Sequence, residues 1–225
     1  MFIFKSTFWL LNWFIMVDFS KKEEKIFHDF VTNFNLSLQQ ADAFKKYLSM
    51  LLRENEKINL TTITSVEGVI RYHFADSLLL SKCIDFTAMK SIGDIGTGGG
   101  FPGIPLKILY PHLRLTLIEV VQKKVRFLRK MIKSLNLDNS QVYDLDWRTF
   151  LRKTDYDIDL FCARASLQPD ELIRMFKSSC RYKNAQLVYF AATGWSPSDK
   201  VEKYVKKEEK YKVGNKKRKF IFLGL

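Results

Sequence analysis

The chain has 225 residues, 47% of them hydrophobic and 14% aromatic, which is enough for one substantial core with a small helical appendage. A formal net charge of +13 and an isoelectric point near 9.6 point toward a polyanionic partner, with solubility or attraction to a membrane surface as competing explanations. Three widely spaced cysteines, Cys83, Cys162 and Cys180, form no C-x-x-C, which excludes a disulfide framework and a cysteine zinc site and favours a reducing cytoplasm.

Residues 1–17 are apolar apart from Lys5 and Asn12 and could pass for a signal peptide or a short anchor. The run is short for a spanning helix and lacks a small-residue cleavage site, and a charged helical segment follows at once. No membrane association is therefore expected. Translation from Met16 would leave residues 1–15 as an extension outside the protein proper. Residues 20–56 carry the spacing of two amphipathic helices, with Ile26, Phe27, Phe30 and Phe34 on one face and Phe44, Tyr47, Leu48, Leu51 and Leu52 on another. Asn59-Leu60-Thr61 leads to a further helical patch over 66–80, where His73 and Asp76 lie one turn apart and can meet on one face.

Strand and helix patterns then alternate. Strands are predicted at 91–95, 115–119, 141–145, 158–163, 186–191 and 219–223, and helices at 102–110, 122–135, 168–179 and 198–209. Such alternation implies an α/β fold with an open, mostly parallel, doubly wound sheet. The organisation expected is a doubtful extension at 1–15, an N-terminal helical segment at 16–80 and a main domain at 81–225.

The first predicted strand runs into Asp94-Ile95-Gly96-Thr97-Gly98-Gly99-Gly100-Phe101-Pro102-Gly103. Glycines after a strand let the backbone turn sharply and approach a ligand closely. Gly98, Gly100 and Gly103 fit the G-x-G-x-x-G of dinucleotide folds, but an acid inside the strand, Asp94, sits where those folds keep an apolar residue. Asp94, Gly96, Gly98 and Gly100 instead form the D-x-G-x-G-x-G that resembles the first motif of class I S-adenosylmethionine methyltransferases, which have a Rossmann-like fold. Their ligand is an ammonium and a sulfonium with no pyrophosphate, so a carboxylate in the loop makes electrostatic sense. Glu119, 23 positions after Gly96 and at the end of the second strand, can accept from both ribose hydroxyls of either ligand.

Several segments together resemble the small-subunit rRNA guanine-N7 methyltransferase family known as RsmG or GidB. They are Asn59-Leu60-Thr61, the H-x-x-D-S-L block His73 to Leu78, Asp94 to Leu106 with its F-P-G-I-P-L extension, Glu119 with Lys123 to Leu128, and Ala163-Arg164-Ala165. The resemblance implies S-adenosylmethionine held by Asp94, Gly96, Gly98, Gly100, Phe101, Glu119, Trp147, Arg148 and Arg164. It also implies His73, Asp76 and Arg164 as positioning residues, contacts to RNA through Lys123, Lys124, Arg126 and Arg164, and small-subunit rRNA or the ribosomal subunit as partner of a monomeric cytoplasmic protein. The chain departs from the family pattern at Glu119-Val120, at Asp146-Trp147-Arg148 and at Ala163 to Leu167. A paralogue with another RNA target, or an inactive ribosome-binding protein, would show the same departures.

Guanine N7 already bears a lone pair, so its methylation needs in-line approach and no general base. No N-P-P-Y or D-P-P-Y follows the fourth strand, which disfavours amino-group methylation, and Cys162 lacks the neighbouring proline of a carbon-five methyltransferase nucleophile. His28, His73 and His112 give no metal-ligand spacing, and no metal is expected. Arg164 could clamp a phosphate or the guanine, or pair with a carboxylate such as Asp94. The basic runs Lys123 to Lys133 and Lys216 to Lys219 are read as candidate tracks for RNA backbone, with solvated helix and tail faces as the alternative.

Overall fold

The computed structural model describes residues 18–225, so the apolar run at 1–17 and the alternative start at Met16 lie outside the described residues. The described chain opens on α1 (Lys21–Asn33) and α2 (Leu38–Ile58). Both begin with a capping box, in which the Ser20 or Ser37 hydroxyl accepts from an amide three residues on and Glu23 or Gln40 reaches back to the serine amide. Most of the expected stripes is buried, Ile26, Phe27 and Phe30 in α1 and Phe44, Tyr47, Leu48 and Leu51 in α2, while Phe34 and Leu52 are half-buried against the same core. Asn59 ends α2 in the left-handed region, which asparagine tolerates better than most residues. A continuous helical stretch follows, made of α3 (Val66–Val69), a wide π-helical turn (Ile70–Ala75), α4 (Asp76–Leu78) and a 3-10 turn (Leu79–Lys82).

The sheet contains β1 (Ser91–Ile95), β2 (Arg114–Ile118), β3 (Ser140–Tyr143), β4 (Leu160–Arg164), β5 (Gln186–Ala192), β6 (Val205–Val213) and β7 (Lys216–Leu223), in the order β3-β2-β1-β4-β5-β7-β6. β1 to β5 run parallel, while β7 pairs antiparallel with both β5 and β6. Helices α5 (Gly103–Leu109), α6 (Gln122–Ser134), α7 (Trp147–Lys153), α8 (Pro169–Leu172) and α9 (Asp199–Glu202) accompany it. Both faces of the sheet are covered, as the alternation along β4 shows. Leu160 and Cys162 join a core with Phe44, Phe74, Leu128 and Phe220, whereas Phe161 and Ala163 join a second core with Trp147, Phe150, Tyr182 and Ile221. Phe127, Leu128 and Met131 of α6 are buried, as core residues should be. Burial also pushes the Cys162 thiol well above its ordinary range, which fits an inert strand cysteine.

Two expectations are corrected. The helix predicted over 198–209 is only the single turn α9, and its lysine-rich remainder is the edge strand β6. Charged residues there read as helix formers, but pairing with β7 decides the conformation, and edge strands commonly carry lysine. The helix predicted over 168–179 is α8 followed by a 3-10 turn (Ile173–Phe176), because the chain turns extended at Lys177. α7 was not anticipated; Asp146 caps it by accepting from the Thr149 amide.

Phe74 links the N-terminal helices to the glycine turn, with ring centroids 4.9 Å from Phe44, 5.2 Å from Tyr47 and 6.1 Å from Phe101. Truncation by Phe74→Ala should cost about 3–5 kcal/mol of unfolding free energy. Denaturant titration followed by both circular dichroism and tryptophan fluorescence is expected to give one shared transition at a lower midpoint. A midpoint equal to wild type would contradict the packing described.

Candidate functional site

β1 delivers the chain into a turn whose geometry follows from its glycines and two acids. Gly96 adopts φ 62°, and a Cβ there would fall 2.4 Å from that of Ser166, so the loop after β4 packs flush against it. Gly98, at φ 61°, is different: a Cβ there would meet nothing within 4 Å. Its backbone therefore faces open space at the carboxyl edge of the sheet. Gly100 lies inward, under Ile104 and Tyr47.

Asp94 and Glu119 hold the turn from either side. Asp94 Oδ2 accepts from the Thr97 hydroxyl at 2.6 Å and the Gly103 amide at 2.8 Å. Its Oδ1 is buried with no partner among the described residues. Burial pushes the Asp94 carboxyl up to about 6, against the lowering effect of those two hydrogen bonds. Glu119 is also buried; its Oε2 accepts from the Gly98 amide at 3.0 Å and its Oε1 from the Val120 and Val121 amides at 3.0 and 2.9 Å. The exposed large hydrophobic residues among those described are Leu38, Val120, Val121, Leu145 and Leu225, and three of these five lie just beyond β2 and β3. Such a rim beside a carboxylate suits a ligand with a flat apolar face and hydroxyl groups.

A second group of side chains closes on the turn from the helical segment. Tyr47 donates its hydroxyl to the Gly99 carbonyl at 2.7 Å, and its ring stacks on Phe101 at 5.2 Å. His73 also stacks on Phe101, at 4.4 Å, and the Arg164 guanidinium lies 5.1 Å from the same ring. Arg164 donates to Asp76 Oδ2 at 2.9 Å, to the Tyr72 carbonyl at 3.2 Å and to His73 Nδ1 at 2.9 Å. Because a guanidinium can only donate, His73 Nδ1 must accept, so the ring proton sits on Nε2 and points to Thr61 Oγ1 at 2.7 Å. Burial, and then the charges of Arg164, Arg218 and Lys216, hold the His73 imidazolium down at about 2. Asp76 also accepts from Arg218 at 3.0 Å and from the Tyr211 hydroxyl at 2.9 Å. A cavity of about 820 Å³ opens beside Thr61, lined by the polar residues Asn55, Glu56, Asn59, Thr61, Thr62 and Thr64 together with Leu52 and Leu60.

The residues singled out in the sequence are therefore distributed unevenly. Asp94, Gly96, Gly98, Gly100, Phe101, Glu119, His73, Asp76 and Arg164 come together. The carboxylate that pairs with Arg164 is Asp76, not Asp94. Trp147 is turned inward instead, packed on Phe150 and Phe161 with its Nε1 donating to the Glu171 carbonyl at 3.3 Å. Arg148 points outward into a two-bond pair with Glu171. Lys123 and Arg126 are exposed on α6 and Lys124 is half-buried, while Arg129 and Lys130 pair with Asp144 and Glu54. Sequence reasoning misses Tyr211, and it places Tyr47 only in a helical stripe and Arg218 only in a basic run, since all three reach the site from other elements.

A family described as rRNA small subunit methyltransferase G matches residues 40–221. The protein named ribosomal RNA small subunit methyltransferase G from Halalkalibacterium halodurans is 42% identical over 134 residues, covering 59% of this chain and 56% of that relative. The one of the same name from Bacillus pumilus is 44% identical over 132 residues, 58% of this chain and 55% of that relative. The chain thus spans about half the length of the curated relatives it matches. Among solved structures, a mutant of MtNAS in complex with S-adenosylmethionine aligns with a TM-score of 0.54 at 15% identity, covering 90% of this chain and 88% of that one. Precorrin-6y C5,15-methyltransferase from Geobacter metallireducens aligns with a TM-score of 0.51 at 18% identity, covering 74% and 90%. These two likenesses establish a shared fold, an open and mostly parallel Rossmann-like sheet with helices on both faces.

The buried neutral His73 has a measurable consequence. Its folded-state pKa lies below the unfolded value, so the stability it supports is present above about pH 6.5 and is lost as pH falls toward 2. Between pH 8 and pH 5 the wild type should lose up to about 2 kcal/mol from this group, a loss absent in His73→Gln. Asp94 titrates in both proteins and cancels in the difference. Parallel stability curves for the two proteins across pH 5–8 would refute the buried neutral ring.

Proposed function

Because the chain belongs to the rRNA small subunit methyltransferase G family, we propose that it transfers a methyl group from S-adenosylmethionine to N7 of a guanine in a loop of small-subunit rRNA. The observation that carries this reading is the open face of Gly98, braced by the buried carboxylate of Glu119. The residues present fit the cofactor. Gly98 lets the backbone come close, Glu119 retains lone pairs for ribose hydroxyls, and Val120 and Leu145 offer apolar surface to an adenine. The unpartnered Oδ1 of Asp94 supplies a buried acceptor next to the turn. When bound, the cofactor supplies an electrophilic methyl on a sulfonium.

The chain's own contribution is positioning. Guanine N7 needs no deprotonation, and the site is built without a free base: His73 Nδ1 is committed to Arg164 and its basicity is suppressed. Arg164, fixed by Asp76, carries positive charge to the cleft where RNA phosphate would pass. The neighbouring cavity of asparagine and threonine side chains offers uncharged donors and acceptors, with Glu56 to accept from the N1 and N2 hydrogens of a guanine. An unpaired base enters such a cavity at the smallest cost, which favours a loop over a duplex. Trp147 and Arg148 serve in this reading as supports behind the site. Lys123, Lys124 and Arg126 are exposed or half-exposed on α6 and can follow the RNA backbone. Among the described residues no helix is long and apolar enough to cross a membrane; we place the protein in the cytoplasm as a monomer.

The test uses purified protein, labelled S-adenosylmethionine and small-subunit rRNA, both naked and in the assembled subunit. Label is expected in one loop guanine, located by borohydride and aniline scission at N7-methylguanosine. Methylation of a different RNA would indicate a paralogue, and absence of both label and S-adenosylhomocysteine binding would sink the reading. Glu119→Ala should weaken S-adenosylhomocysteine binding by about 10- to 100-fold in calorimetric titration, the value of hydrogen bonds to a charged group.

A further inference from the structure

The β6–β7 hairpin carries charge in an arrangement that its own folding disfavours. In the register of the pair, Lys212 stands directly opposite Lys217 and Lys210 directly opposite Lys219. Because side chains alternate along a strand, these four lysines share one face as a two-by-two grid. Directly opposed like charges destabilise a sheet. Glu208 pairs with Lys219, which is buried, but among the described residues Lys210, Lys212 and Lys217 are exposed and form no ion pair.

The grid also stands at a particular edge. β5 ends at Ala192 opposite Arg218, so Lys216, Lys217 and their partners Val213 and Lys212 project past the carboxyl edge of the sheet. That is the edge of the glycine turn. β7 and β6 lie three and four strands from β1, or roughly 14–19 Å at the usual interstrand spacing. The tip is fixed there from the opposite face. Tyr72 donates to Asn215 at 2.6 Å, Lys216 lies 4.5 Å from the Tyr72 ring, and Arg218 and Tyr211 bind Asp76.

We infer that the overhanging tip of this hairpin, through Lys212 and Lys217, grips the phosphate backbone of the RNA that flanks the target base. The inference rests on the reading of RNA as substrate. An anionic backbone between two opposed lysines relieves their repulsion, so the arrangement is costly alone and favourable in the complex. The anchoring through Tyr72 and Asp76 holds the grip at a set distance from the pocket, as a register for the strand needs.

The test compares Lys212→Thr/Lys217→Thr with a charge-matched control, Lys21→Thr/Lys25→Thr on α1, far along the chain. Anisotropy titration of a small-subunit rRNA loop fragment over a salt series should show about 10- to 30-fold weaker binding near 0.1 M salt for the hairpin variant and a log–log salt slope shallower by about 1.4. The control should stay within about twofold. Affinity for S-adenosylhomocysteine should be unchanged, and melting temperature should rise by about 1–3 °C as the repulsion is removed. Unchanged RNA binding, an equal loss in the control, or a loss of binding to phosphatidylserine vesicles with RNA binding intact would each overturn the inference. Wild type that binds RNA in this pattern but transfers no methyl group would overturn the proposed chemistry and leave the grip standing; wild type that methylates, with a hairpin variant that binds normally, would do the reverse.

Discussion

The carboxylate of Asp76, wholly shielded from solvent, is the constraint on which the arrangement of this protein depends. It receives a guanidinium from β4, a second guanidinium from β7 and a phenol from β6, all at 2.9–3.0 Å. Elements distant in the chain are thereby fixed to one helical stretch. Buried ion pairs contribute little net stability against apolar packing, yet losing one member leaves uncompensated charge in a dry place. Their value lies in selecting one arrangement among several of similar energy. Here the arrangement selected is the one in which Arg164 and His73 face Phe101 and the glycine turn.

The two acids of the turn work differently. Glu119 accepts only from backbone amides, so it shapes the loop without adding a competing cation to the cleft. Asp94 sits deeper, half satisfied by Thr97 and Gly103. One carboxylate thus sets the curvature of the backbone and the other leaves a polar atom waiting. Tyr47, through the Gly99 carbonyl and the face of Phe101, transfers the rigidity of α2 to the same few residues. The helical segment and the sheet meet through this contact.

Legibility in the sequence followed the range of the interactions. β1 matches its expected bounds, and β2 and β3 begin one residue earlier than expected, because buried parallel strands are short apolar runs between turn signals. The turn and its two acids were readable for the same reason: they lie within 26 residues of one another. Tyr211 and Arg218 meet Asp76 across 135 and 142 residues, and no periodicity reports such a contact. β6 was hidden by composition, since lysine and glutamate favour helix locally and only the partner strand overrides them. The resemblance implies a place at the cofactor for Trp147, and no sequence signal shows that its ring packs among Phe150 and Phe161.

The π-helical turn at Ile70–Ala75, where the Asp76 amide reaches back to the Arg71 carbonyl, amounts to one extra residue wound into an otherwise ordinary helix. Deleting a single residue from this turn would yield a more regular helix. Removing Phe74 or Ala75 in particular would leave His73 and Asp76 two residues apart instead of three, about 100° away from the relation in which both reach Arg164. Length in this stretch is therefore as constrained as composition. Relatives that share the Arg164–Asp76 pair should tolerate substitutions between α3 and α4 far more readily than gaps, so that alignments crossing the turn without insertions or deletions would themselves be a trace of the geometry.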